Sequence, residues 1–122
     1  MPASVGYLVI DTANPSLLVP FWCGLLGVEV DTTIGEGQFV LLTPPRTALR
    51  WASSASPTRR PGRTGLHLDL IVEDLAMATA EVQALGGRWL EPDHTRELED
   101  FQWRQMADPE GNEFDLDVLP PG

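Results

Sequence analysis

A short apolar run, Tyr7–Asp11 (YLVID), gives way to a helical spacing at Leu17, Leu18, Phe21, Trp22 and Leu25. A run this short suits a strand, and period 3.6 places side chains on one stripe of a helix, so the order is strand then helix. The same order returns sixty residues later, with HLDLIV from His67 followed by Leu75, Ala78, Val82 and Leu85. Tyr7 then corresponds to His67, Asn14 to Asp74, Leu25 to Leu85 and Gly27 to Gly87.

The helix boundaries are written in the residues around them. Asn14 and Asp74 are N-cap types, because their side-chain oxygens can accept from first-turn amides that lack an intrahelical partner. Pro15 suits the first helical position, whereas Pro20 conflicts with a regular helix and predicts a later start or a bend in the first turn. Gly27 and the Gly86-Gly87 pair supply helix ends.

Strands are expected at 27–31 (GVEVD), 37–43 (GQFVLLT) and 47–53 (TALRWAS) in the first copy. In the second they are expected at 87–91 (GRWLE), 101–107 (FQWRQMA) and 112–118 (NEFDLDV). Asp108-Pro109-Glu110-Gly111 fits a type I turn joining the last two. The intervening SSASPTRRPGRTG, Ser53–Gly65, reads as a connector whose three arginines are solvated charge or a clamp for an anion. The organisation is one domain, 1–122, with module one at 1–56, a linker at 57–64 and module two at 65–120.

In the last strand Glu113, Asp115 and Asp117 share one face while Phe114, Leu116 and Val118 share the other. Clustered carboxylates repel one another, so this face calls for a cation, arginine side chains or protons. Arg50 and Arg104 are the candidates to neutralise it internally, and a cationic ligand is the other solution.

Composition narrows the chemistry. With 122 residues the chain suffices for one core, and its 43% hydrophobic content argues for a folded domain. Eight arginines, no lysine and eighteen acidic residues give a net charge of -10, which disfavours nucleic acid and anionic membrane as partners. Without lysine there is no Schiff-base chemistry, which leaves carboxylates, His67, His94, Tyr7, Cys23 or a bound metal. The single cysteine cannot form an internal disulfide, and no segment has the length and apolarity of a membrane span, so a cytoplasmic location is expected. Cys23 reads as a passive small residue and His94 as a solvated loop residue.

The paired modules, with FW at 21, LLG at 25, HLDL at 67 and DPEGNEF at 108, resemble the vicinal oxygen chelate superfamily and, within it, the glyoxalase-like domains. The resemblance implies an α+β fold of two paired βαβββ modules, a cup-shaped mixed sheet with helices outside, and a small-molecule ligand held in the cup. A homodimer is expected on the same ground. The superfamily spans lyases, isomerases, dioxygenases and drug-sequestering resistance proteins, so the likeness implies a fold more closely than a reaction.

Strand parity turns Tyr7, Val9 and Asp11, and His67, Asp69 and Ile71, toward the cup together with Glu113, Asp115 and Asp117. His67, Asp69 and Asp115 are the candidate acid/base set, since carboxylates hold an imidazole in one tautomer. The bland reading is a histidine hydrogen-bonded in the sheet with no chemical duty. Tyr7, Asp11, Trp51, Trp103 and Glu113 are candidate ligand contacts. Trp89 shares the choice between stacking on a ligand and packing in the core, and Trp22 belongs to the core.

Metal-using relatives place ligands on the first and last strands of each module. Here His67 and Asp115 match those places, while Tyr7 and Arg50–Ala52 do not, and Asp11 or Asp69 could substitute. The expectation is therefore a protein that binds a small organic ligand without an obligatory metal, sequestering it or transforming it by acid/base chemistry. The alternative is a divalent-metal lyase, isomerase or dioxygenase using His67 and Asp115 with zinc, nickel, manganese or iron.

Overall fold

The computed structural model describes residues 6–43, 47–51 and 67–118; for Trp51 this covers the backbone alone. The connector with its three arginines and the Ala52–Ser53 end of the expected strand lie outside the described residues. The chain divides into two compact units, Met1–Arg59 and Arg60–Gly122.

The first unit runs β1 (Leu8–Thr12), α1 (Pro15–Leu26), β2 (Val30–Ile34), β3 (Phe39–Leu42) and β4 (Thr47–Trp51). Its sheet has the order β1-β4-β3-β2, with β1 parallel to β4 and the remaining pairs antiparallel. Helix α1 buries Leu18, Phe21 and Trp22, with the Phe21 and Trp22 rings edge to face at 5.3 Å. Leu17, expected on the same stripe, is exposed instead.

Asn14 starts α1 without a side-chain cap; its carbonyl accepts from Leu17 and Leu18, and its own amide donates to Thr12 Oγ1 at 3.0 Å. The helix begins at Pro15 and simply contains Pro20, so the conflict does not delay its start. At the other end Gly27 takes the left-handed conformation, φ 66, while Val28 donates back to the Cys23 carbonyl. A residue with a Cβ would be strained there.

Strand β2 starts three residues later than the alternation suggested. Val28 and Glu29 approach the sheet irregularly: Thr43 donates its amide to the Glu29 carbonyl, and the ladder shifts register between Val30 and Thr32. A bulge of this kind breaks period two, which is why the pattern misplaces the strand.

The second unit runs β5 (Leu68–Ile71), α2 (Leu75–Ala84), β6 (Arg88–Trp89), β7 (Arg96–Leu98), β8 (Phe101–Ala107) and β9 (Glu113–Val118). The order β5-β9-β8-β6 repeats that of the first sheet, and β7 adds a further pairing with β8. Asp74 caps α2 through its carboxylate, which accepts from the Met77 amide at 3.0 Å. The left-handed residue after α2 is Gly86, φ 101, and Gly87 donates to the Val82 carbonyl. Leu75, Ala78 and Val82 are buried along the helix, as their spacing required.

Between β8 and β9 the chain turns as expected, with Gly111 donating to the Asp108 carbonyl at 2.9 Å. The fully buried Asp108 side chain accepts from the amides of Glu110 and Asn112 and from Asn112 Nδ2. Replacing it with alanine leaves three half-buried donors without this partner, each at the low end of about 1–3 kcal/mol per unpaired group. Asp108→Ala is therefore expected to cost about 3 kcal/mol, read as a lowered urea midpoint.

Candidate functional site

Central strand β9 aligns the two faces that its alternation foretold. Phe114 and Leu116 are buried, at 1% and 0% exposure, and Asp115 and Asp117 on the opposite face are also buried, at 6% and 4%. Parallel pairing with β5 sets Asp69 opposite Asp115 and Ile71 opposite Asp117. Antiparallel pairing with β8 sets Ala107, Gln105 and Trp103 opposite Glu113, Asp115 and Asp117. Trp103 in turn faces Arg96 on β7. Cross-strand partners point to the same side of a sheet, so these residues form one continuous surface of the second unit.

His67 stands just before β5 at the edge of this surface. Its Nδ1 lies 2.7 Å from Asp69 Oδ1 and 3.8 Å from Asp115 Oδ2. An ionised carboxylate only accepts, so the short contact assigns the proton to Nδ1 and leaves the Nε2 lone pair as the acceptor of the neutral ring. His67 and Asp69 are partly exposed, whereas Asp115 is covered. The Asp117 carboxyl is pushed up from 3.8 to about 6, first by burial and then by the charges of Asp69 and Asp115, with His67 opposing. Asp117 thus keeps its proton in mildly acidic solution and releases it as pH rises through about 6, burial being the main cause.

The donor atoms of His67, Asp69 and Asp115 all lie within 4.8 Å of one another. One imidazole nitrogen and two carboxylate oxygens are a fitting donor set for zinc, nickel, manganese or iron. Asp69, weighed from the sequence only as a substitute ligand, completes this group. The Nδ1 edge that bonds Asp69 also faces Asp115, so a proton and a metal would compete for it. Metal binding there would require deprotonation of the ring nitrogen.

In the first unit Asp11 is paired with Arg50, whose Nε and Nη2 donate to its two carboxylate oxygens at 2.8 and 3.0 Å. This contact raises the Arg50 pKa. The candidate ligand contact Asp11 is thereby neutralised within its own sheet, and Arg50 serves Asp11. Tyr7 is exposed at the start of β1, and Glu113 is half-buried at the start of β9. The Trp51 backbone closes β4 opposite Thr12.

Arg104 does not neutralise the acidic face. It is opposite Leu116, on the side of the sheet that carries α2, where it donates to Thr95 Oγ1 and Thr79 Oγ1 at 2.9 Å each. Its guanidinium lies 4.2 Å from the centre of the Trp89 ring. One step along a strand reverses the face, and Arg104 is one step from both Trp103 and Gln105. Trp89 follows Arg104 to that side, with its indole nitrogen buried and without a hydrogen-bond partner among the described residues. The half-buried Trp89 ring is thus stacked by Arg104 on the α2 side of the sheet, away from the acidic face. Trp103 lies on the acidic side, with Phe101 at 6.0 Å.

Two members of the surface escaped the sequence reading. Gln105 is identified only by register. Arg96 falls between the strands expected at 87–91 and 101–107, where no element was expected, yet it occupies β7 and is held by Glu91, with Nε–Oε1 at 2.6 Å and Nη2–Oε2 at 2.9 Å. His94 is exposed, and the Cys23 thiol is pushed up by burial and by Glu29, which disfavours the thiolate.

Among the described residues no helix is long and apolar enough to cross a membrane. Residues 7–116 match the glyoxalase-like domain family. No curated protein matches the sequence. Among solved structures, the chain is similar to a glyoxalase/bleomycin resistance protein/dioxygenase family enzyme from Burkholderia phytofirmans PsJN. The TM-score is 0.76 at 16% identity, covering 96% of this chain and 99% of that one. A glyoxalase/bleomycin resistance protein from Albidiferax ferrireducens T118 gives a TM-score of 0.66 at 14% identity, covering 95% and 98%. A lactoylglutathione lyase from Agrobacterium tumefaciens gives 0.61 at 18% identity, covering 96% and 94%. At these identities the likeness carries the α+β fold of two βαβββ modules and no particular reaction. The chain belongs to the glyoxalase-like domain family of the vicinal oxygen chelate superfamily.

Proposed function

We propose that the acidic face of the second module binds a small organic molecule bearing a cationic or hydrogen-donating group, and that His67 exchanges a proton with it. The observation that carries this reading is the His67–Asp69 contact of 2.7 Å beside the buried carboxylates of Asp115 and Asp117. Burial of like charges is costly, and among the described residues Arg50 and Arg104 are engaged with Asp11 and with Thr79 and Thr95 rather than with this face. A ligand cation over Asp115 and Asp117 would be compensated at once, and Trp103 offers it a flat apolar neighbour. His67 Nε2 can then accept a proton from the bound molecule, with Asp69 stabilising the imidazolium that results.

On this reading the protein either sequesters its ligand or transforms it by acid/base chemistry, without an obligatory metal. Self-association into a homodimer belongs to the same proposal and is checked by sedimentation. Thermal shift against a panel of small amines and amino-substituted aromatics tests the main reading. Hits should raise the melting temperature of the wild type, and His67→Ala should weaken them by tenfold or more, about 1.4 kcal/mol or more.

A second reading has its own support. His67, Asp69 and Asp115 could hold a divalent ion, which would polarise a substrate oxygen when bound. Protein purified without chelator, followed by elemental analysis, separates the two. Stoichiometric metal, lost in Asp69→Asn, would favour the metal-dependent reading; a metal-free protein that retains ligand binding would favour the first.

A further inference from the structure

On the α2 side of the second sheet stands a guanidinium that no carboxylate meets. All eighteen acidic residues of the chain lie within the described segments, and Arg104 pairs with none of them. Its partners are neutral: Nε donates to Thr95 Oγ1 and Nη1 to Thr79 Oγ1, each at 2.9 Å, and the Trp89 ring lies 4.2 Å away. Arg50 and Arg96 each use the Nε–Nη2 edge to grip both oxygens of a carboxylate, those of Asp11 and Glu91. In Arg104 a hydroxyl takes the Nε half of that edge, and Nη2 has no acceptor among the described residues. The Trp89 indole N–H on the same side is buried and likewise without an acceptor among them. Arg88 also has no carboxylate partner among the described residues, but it is exposed and water serves it. Arg104 is half-buried, where an unneutralised charge costs more.

We propose that Arg104 and Thr95, backed by Trp89, form a binding site for a small oxyanion, a carboxylate or phosphate group, on the α2 side of β8. The anion accepts from Arg104 Nη2 and from the Thr95 hydroxyl, whose oxygen receives Nε and whose own hydrogen has no acceptor among the described residues. The Thr79 hydroxyl cannot do the same, since it donates to the Leu75 carbonyl at 2.6 Å. Thr79 and the face of Trp89 instead fix the plane of the guanidinium, so little side-chain freedom is lost when the anion binds. Trp103 and Gln105, one step away on β8, lie on the side of Asp117 and Asp115, so the sheet itself separates this site from the acidic face. The oxyanion site therefore stands whether or not that face binds a cation.

Sodium phosphate and sodium acetate are the probes, titrated at constant ionic strength held with NaCl while NMR follows the arginine side-chain N–H groups and the Trp89 indole N–H of the wild type. Arg104 and Trp89 should move together along one saturating curve with at least one of the two anions, at a dissociation constant of about 10 mM or below, and Arg88 should respond about tenfold more weakly. The anion that saturates first identifies the class, phosphate or carboxylate. Arg104→Lys keeps the charge but loses the planar edge, and it should weaken the Trp89 response about tenfold. The same anion should raise the melting temperature of the wild type and raise that of Arg104→Lys less, because binding to the native state alone stabilises it. Shifts that grow without saturating, that are equal at Arg88, or that persist unchanged in Arg104→Lys would overturn the proposal while leaving the acidic-face reading intact.

Discussion

Asp117→Asn is expected to stabilise the protein at neutral and alkaline pH while leaving its acid stability unchanged. The Asp117 carboxyl is raised from 3.8 to about 6. Its folded pKa therefore lies above its unfolded one, and the native state binds the proton more tightly. The stability linked to that proton is fully present below pH ~4 and disappears as pH rises through about 6. At ~1.4 kcal/mol per pKa unit, the deprotonated group makes the native state about 3 kcal/mol less stable at pH 8 than the protonated one. Asparagine resembles the protonated form in shape and charge. Urea midpoints of variant and wild type should coincide near pH 4, then separate in favour of the variant above pH 6. A constant difference across that range would mean that packing, not the proton, is responsible.

Phe114→Ala should carry the largest loss of stability, about 3–5 kcal/mol, typical of emptying an aromatic site in a core. Phe114 is 1% exposed on the opposite side of β9 from Asp115, and it pairs with Leu68 and Met106 across the sheet. Its removal undermines the strand that presents the carboxylates, so ligand affinity should fall with stability. Phe114→Leu fills most of the space, and it should recover more than half of both. Loss of affinity with no loss of stability would show that the apolar face does not support the acidic one.

How much was legible beforehand depended on whether local pattern and long-range pairing agreed. In β9 they agree: alternation separates Phe114 and Leu116 from Asp115 and Asp117, and the Asp108–Gly111 turn fixes where the strand starts. The copy of strand and helix from His67 to Leu85 was equally clear, because Asp74 caps and Leu75, Ala78 and Val82 pack as spaced. Strand β7 was not legible. Leu98 pairs directly with Phe101, so Glu99 and Asp100 form a two-residue hairpin turn, with Glu99 at φ 54. Such turns are normally signalled by Asn or Gly, and neither is present. Without that signal Arg96 could not be placed on the sheet. The face of Arg104 was missed for another reason: parity sets it opposite to Trp103, but which of the two lies on the acidic side follows only from the register of β8 with β9.

The site shows the same division. The grouping of His67 with Asp115 followed from the resemblance, and Asp69 followed from parity, but the 2.7 Å contact that chooses the imidazole tautomer comes only from coordinates. The capture of Asp11 by Arg50 is a cross-strand event between β1 and β4, invisible to any local pattern.

The most direct test is a titration of 15N-labelled protein with ligands drawn from the amine panel, following the two ring nitrogens of His67. In the free protein Nδ1 should carry the proton; ligands that bind should shift both nitrogens, and Asp115→Asn should weaken them at least tenfold, about 1.4 kcal/mol. A ligand that binds tightly, leaves the His67 nitrogens unmoved and is indifferent to Asp115→Asn would place the function elsewhere on the chain.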